Sequence, residues 1–292
     1  MNSFKPNYDK ILEILQSITE KESFLTQNRT PKLKDIELIA MNLTAEYMGI
    51  DSECQLFRDI PEVLYSKIER SVYNRRKRKL FFAIESIRSS LSEKFNEFEN
   101  YYIVDSMPLE VTKLSRSNRS AICKESYYSA PNRGFCASQN MHYYGYKIHA
   151  VCSVKGVFQS FDISKASVHD IHYLKDIKTQ FNHCVILGDK GYLNAECQLD
   201  LFENYKIKLE IPMRKNQHNF KPQTYIFRKS RKRIETLFSQ LCDQFKIRNN
   251  YAKSFEGFKT RILSKITALT VVQYINKFIF DRNINNLKIN IV

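Results

Sequence analysis

Asp105, Asp189 and Glu235 are the acids whose sequence surroundings suggest chemistry. Asp189 follows the apolar run Cys184-Val185-Ile186-Leu187 and a glycine, Gly188. That run has the length and β-branched content of a buried strand. Gly191 lets the chain turn, and Asn194 is placed to cap a helix over Ala195 to Tyr205. In open α/β sheets, ligands bind just past the carboxyl ends of strands. Asp105 stands in the same position, ending the strand-like run Tyr101-Tyr102-Ile103-Val104. Glu235 is the only acid between Glu210 and Asp243. It lies on a helical flank with Arg228, Arg231, Cys242 and Lys246, beside a core stripe of Ile234, Leu237, Phe238, Leu241 and Phe245.

Each acid alone has an ordinary reading: a turn aspartate, a strand-end aspartate, a surface glutamate paired with Arg231. Together they read differently. If the first strand neighbours the strand at 184–187, both aspartates emerge side by side, within reach of the glutamate. Three converging carboxylates repel one another unless a cation joins them. Hard oxygen donors with open, water-filled positions suit Mg²⁺, with Mn²⁺ as a substitute. Two such ions could activate a water or a 3′-hydroxyl for attack at phosphorus.

The elements that must position these acids fall into two stretches. Residues 1–97 read as helical: a helix over Tyr8 to Lys21, one from an Asp35 cap to Met48, a left-handed stop at Gly49, and a short helix after Asp51-Ser52. That outline is helix-turn-helix-like, or an ordinary α-hairpin. Pro61 opens a further helix, to about Arg70, and Asn74 caps another. The run Arg75-Arg76-Lys77-Arg78-Lys79 then sits at a helix start, where it opposes the helix dipole and calls for an external anion such as DNA phosphate. Residues 98–285 read as strand, strand, strand, helix, strand, helix, strand, then helices. This predicts an α/β mixed sheet flanked by helices. Residues 106–139 read as a long basic loop, and 286–292 as a tail. Tyr127, Tyr128, Tyr143, Tyr144 and Tyr146 could stack on unpaired bases or simply pack. His169 and His172 flank Asp170 in what reads as a capped, solvated turn.

Charge narrows the partner. The 292 residues carry a net +15, and Lys206 to Arg261 hold 15 Lys/Arg against four Asp/Glu. Such a field attracts polyanions, nucleic acid first. The polar N-terminus and seven irregularly spaced cysteines fit reduced thiols in a cytoplasm. Cys123, Cys136, His142 and His149 match no common zinc spacing. Ile262 to Phe280 is interrupted by Lys265 and Lys277, which suits a packed helix and no membrane span. No GxxxxGK[ST] loop is present, so ATP use is not expected.

Three motifs carry a family resemblance: Ile103-Val104-Asp105-Ser106, Leu187-Gly188-Asp189-Lys190-Gly191-Tyr192, and Arg231-Lys232-Arg233-Ile234-Glu235-Thr236-Leu237-Phe238. The last two acids lie 46 positions apart. The chain resembles a DDE transposase of bacterial insertion sequences, of insertion-sequence family 982, with a ribonuclease-H-like catalytic core. The resemblance implies divalent-metal DNA cleavage and strand transfer by Asp105, Asp189 and Glu235. It also implies recognition of terminal inverted repeats by the N-terminal part. Many relatives carry Tyr, Arg, Glu and Lys along the third-motif helix. Here Arg231 and Glu235 match, Arg228 takes the Tyr position, Cys242 takes the Lys position, and Lys246 lies one turn later as a substitute. The DNA contacts expected are Arg75, Arg76, Lys77, Arg78, Lys190, Arg228, Arg231, Lys232 and Lys246. The expected partners are element ends and target double-stranded DNA, with a dimer or higher assembly on DNA, in a bacterial, nucleoid-associated setting. The competing readings are a nuclease without strand transfer and a non-catalytic DNA-binding repressor.

Overall fold

The computed structural model describes residues 3–96, 100–213 and 220–292. The expected boundary at 97/98 falls outside the described residues. Six helices come first: α1 (Phe4–Ile18), α2 (Asp35–Tyr47), α3 (Glu53–Asp59), α4 (Glu62–Tyr65), α5 (Arg70–Lys79) and α6 (Phe81–Glu93). Strands β1 (Tyr101–Thr112), β2 (Asn132–Cys136), β3 (Met141–Ser153) and β4 (Phe158–Lys165) follow, then α7 (Leu174–Gln180), β5 (Cys184–Leu187), α8 (Ala195–Tyr205) and β6 (Ile207–Glu210). The long helices α9 (Tyr225–Asp243) and α10 (Phe255–Tyr274) close the chain. They sort into two compact units, Asn96–Ser239 and a helical one in which Gln240–Val292 joins the residues up to Phe95. Within the helical unit, α10 packs on α2 and α6.

In the helical unit, α2 is buried along nearly its whole length, packed by α1 and α10. Lys265 is fully buried in α10, and its ammonium meets Glu46 Oε2 at 2.6 Å and the Phe245 carbonyl at 2.5 Å. Gly49 ends α2 at φ +67°, as its sequence position implied. Ser52 caps α3, its hydroxyl accepting from the Cys54 N–H at 3.2 Å.

The run of five cations is placed differently from the expectation. Asn74 lies inside α5, and Arg76 to Lys79 form that helix's last turn, where the dipole favours cations. The argument for an external anion therefore lapses. Arg76 and Lys77 are buried. Arg76 Nη2 donates to Asp35 Oδ1 at 2.6 Å and to the Leu33 carbonyl at 2.9 Å. Asp35 Oδ2 accepts from the Phe24 and Leu25 amides at 2.8 and 2.9 Å. Lys77 Nζ meets Glu53 Oε1 at 2.7 Å.

In the other unit the sheet order is β2-β3-β1-β5-β6, with β4 also on β3. The pairings β1–β3, β2–β3 and β3–β4 are antiparallel, and β1–β5 and β5–β6 are parallel. The Lys155-Gly156 hairpin forms, with Gly156 at φ +95°. Two expectations fail. Asp105 does not end β1, which continues to Thr112, and β2 lies inside the stretch read as a loop. Beyond Ile103, β1 has lost its β5 partner, so Pro108 lies on an open edge while β3 holds the other side. One sheet face carries Val104, Val151, Cys184 and Ile186 against Leu174 and Ile177 of α7 and Leu201 of α8. The opposite face carries Asp105 and receives α9, where Phe158 and Phe238 rings lie 6.3 Å apart.

Arg76 is thus a structural cation of the helical unit. Replacing it with Ala leaves buried Asp35 without its counter-charge, and should cost that unit about 3–5 kcal/mol. Arg75 is exposed, and Arg75→Ala should stay within about 0.5 kcal/mol. Urea unfolding followed by circular dichroism tests the contrast; equal midpoint shifts would refute it.

Candidate active site

The pairing of β1 with β5 sets the geometry. Ile103 lies opposite Leu187, and Asp105 and Asp189 each follow two residues later. Strand side chains alternate, so each aspartate continues the face of its Ile103 or Leu187. Gly188 makes the passage possible: a Cβ there would stand 3.3 Å from Val104 Cγ1. The Asp105 carboxylate accepts from the Ser106 amide at 2.8 Å. The Asp189 carboxylate caps the 3-10 turn Lys190–Tyr192, accepting from the Lys190 amide.

Glu235 is exposed on α9, on the turn after Arg231. The stripe expected for this helix is buried in full: Ile234, Leu237, Phe238, Leu241 and Phe245. The helix begins at Tyr225, three residues earlier than read from sequence, and Arg228 lies over the Tyr225 ring at 5.9 Å. Arg231 Nη2 lies 3.9 Å from Asp189 Oδ1, so this guanidinium stands among the acids. Lys190, Arg228 and Lys232 are exposed. Lys246 does not extend the flank. The helix has ended at Asp243, Lys246 takes φ +48°, and its ammonium donates to the Gly49 carbonyl at 3.1 Å. Of the five tyrosines, Tyr143, Tyr144 and Tyr146 are buried, whereas Tyr127 and Tyr128 are 85% and 89% exposed.

The acids act on one another. Burial pushes the Asp105 carboxyl up from 3.8 to about 7, and the Asp189 and Glu235 charges add to the rise. The Ser106 amide and Arg231 work against it. A site that holds a proton this strongly favours added positive charge. Its donors are hard oxygens, the chemistry of Mg²⁺ or Mn²⁺ rather than of a soft metal. The spacing is open: among the described residues, no three His, Cys, Asp or Glu side chains are grouped to hold one ion.

A mixed six-stranded sheet, with β1 to β4 paired antiparallel and β5 and β6 added parallel to β1, flanked by helices and preceded by a helical region, is consistent with the ribonuclease-H-like fold of transposases. A family profile described as Transposase DDE domain matches residues 97–271, and the chain belongs to this family. No curated protein matches the chain. Among the described residues, no helix is long and apolar enough to cross a membrane.

Convergence of the acids has a direct spectroscopic consequence. In metal-free protein, the Asp105 carboxyl carbon should titrate near pH 7. Asp189→Asn and Glu235→Gln remove negative neighbours and should each lower that midpoint, whereas Arg231→Gln should raise it. The protonated form's contribution to stability is full below about pH 3.8 and is lost as pH rises through about 7. A carbon-13 midpoint indifferent to both acid substitutions would mean that the three do not share a site.

Proposed function

We propose that this chain is the transposase of a bacterial insertion sequence, of family 982, and that Asp105, Asp189 and Glu235 form its cleavage and joining centre. The observation that supports the reading is the register Ile103–Leu187, with Asp105 and Asp189 each two residues further on and their charges acting on one another. Family membership supplies the DNA substrate class.

Asp105 and Asp189 would hold two Mg²⁺ ions between them, with Glu235 completing the second position; Mn²⁺ would substitute. When bound, such ions polarise the phosphoryl oxygens and ionise water or a 3′-hydroxyl near neutral pH. The rest falls to the chain. Arg231 offsets repulsion among the acids and presents its guanidinium to a phosphate oxygen. Exposed Lys190, Arg228 and Lys232 hold the backbone on either side of the cut. Water attacks the phosphodiester at the element end, and the bridging oxygen leaves as a 3′-hydroxyl. That hydroxyl then attacks a target phosphodiester, joining its oxygen to the target's 5′-phosphate while the target's bridging 3′-oxygen leaves as a hydroxyl, so no covalent protein intermediate forms.

The helical N-terminal region binds the terminal inverted repeats, with Arg75 and Arg78 among its contacts. Arg76 and Lys77 are left out because they are spent on internal ion pairs. Two ends must be held for joining, so the DNA-bound form is a dimer or larger. The setting is the bacterial nucleoid.

The test is a labelled duplex carrying the element's own end, incubated with the protein and Mg²⁺ or Mn²⁺. Wild type should nick at the end and yield joined products. Asp189→Asn should lose both by roughly a hundredfold or more, beyond what outer-shell changes cost. Nicking without joining would point to a nuclease. Equal DNA binding by both proteins, with no cleavage by either, would leave a DNA-binding protein.

A further inference from the structure

Asp170 is a fourth acid in the same unit, and it is not the solvated turn residue its sequence suggested. His169 does cap the 3-10 turn Asp170–Tyr173, its ring accepting from the Ile171 amide at 3.3 Å. Asp170 itself turns inward. Its Oδ1 accepts from Lys147 Nζ at 2.8 Å and from Ser106 Oγ at 3.0 Å. Lys147, on β3, also donates to the Val168 carbonyl at 3.0 Å. On the other side, Asp170 Oδ2 lies against Gly191, where an added Cβ would stand 3.4 Å from it.

These contacts lead to both aspartates. Ser106 is the residue whose amide holds Asp105 at 2.8 Å. Gly191 lies in the 3-10 turn whose first amide holds Asp189. One carboxylate therefore accepts from the side chain just after Asp105 and faces the turn just after Asp189, with room between for no more than a methyl group, while Lys147 anchors its charge to a third element. The Asp170–Tyr173 and Lys190–Tyr192 turns pack on one another. Its position is tightly determined: the Lys147–Asp170 pair is largely shielded from water, so neither partner can leave without stranding a charge.

We propose that Asp170 is a positioning residue that fixes the separation of Asp105 and Asp189 by hydrogen-bonding Ser106 on one side and backing the Gly191 turn on the other. This rests on the reading of those acids as the cleavage centre. A carboxylate is required because Lys147 needs a counter-charge as well as a hydrogen-bond acceptor; an amide of equal shape supplies only the second.

Two measurements on the full chain separate this proposal from the reading beneath it. In amide proton–nitrogen spectra of metal-free protein, Asp170→Asn should shift the Ser106 and Gly191 resonances together. The control Asp200→Asn, which breaks an exposed pair with Lys178, should leave both in place. In the element-end assay, Asp170→Asn should cut about 10–100-fold more slowly with unchanged affinity for uncut duplex. Ser106→Ala should add little on the Asp170→Asn background. Amides that stay still, or only one that moves, would overturn the proposal, as would fully additive costs. If Asp170→Asn does not fold, Ser106→Ala must shift the Gly191 amide; no shift would count against the proposal equally. A wild type that does not cut would defeat the cleavage reading, while the spectra would still decide whether Asp170 links the two loops.

Discussion

The short parallel pairing between β1 and β5 is the constraint on which the unit depends. Only Tyr101, Tyr102 and Ile103 are engaged, opposite Val185, Ile186 and Leu187. Parallel pairs are slightly weaker per residue than antiparallel ones. This one survives because β1 is held along its other edge by β3 from Tyr102 to Thr112, and β5 is held by β6. Where β5 stops, β1 runs on with an open edge, and Asp105 stands at that opening. A crevice at the end of a parallel strand follows from the mismatch in strand lengths, not from any special backbone conformation.

That crevice gathers negative charge. Burial is the first cause of the raised proton affinity of Asp105, and the charges of Asp189 and Glu235 add to it. Three features make the gathered charge tolerable: the Ser106 amide on Asp105, the Lys190 amide on Asp189, and the Arg231 guanidinium beside Asp189. None of them neutralises the set. The fold can sustain the repulsion because apolar packing on both sheet faces holds the strands regardless. Val104 and Ile186 are buried on one side, and Ile103 and Phe158 on the other. Stability generated in the layers is thus spent at the strand ends.

Much of this was readable in the sequence, and the exceptions share a cause. The strand–Gly–Asp stop at 184–189, the Asn194 cap and the α9 stripe are local signals, and each formed where expected. The length of β1 was not local. Pro108 reads as a strand breaker, yet Leu109 to Thr112 became strand because β3 offers a long partner. Tertiary pairing outweighs β-propensity in such cases. The stretch Asn132–Cys136 has no alternation to betray it, and it too is strand only by pairing with β3. The α5–α6 break at Leu80 inverted the argument drawn from the cationic run, since the same residues at a helix end meet the dipole favourably. Asp170 was missed because its partners, Ser106 and Lys147, are remote in sequence.

The cations show why a count of Lys and Arg overstates a nucleic-acid footprint. Arg76, Lys77, Lys147 and Lys265 are committed to Asp35, Glu53, Asp170 and Glu46 within the fold. A buried cation already paired releases no counterion when a phosphate approaches, so it adds nothing to the salt dependence of DNA binding. Arg75, Lys190, Arg228 and Lys232 are exposed and remain able to do so. Two of these, Arg228 and Lys232, lie on the helix that carries Glu235, and Lys190 follows Asp189 directly. The cations able to meet a DNA backbone are therefore fewer than the 46 Lys and Arg of the sequence, while the net charge, which already subtracts the acids, stays at +15. In the unit with the acids, exposed cations lie on the two elements that present Asp189 and Glu235, and also elsewhere, as at Arg116, Lys124 and Arg133. One helix and one turn thus carry both exposed cations and two of the three acids.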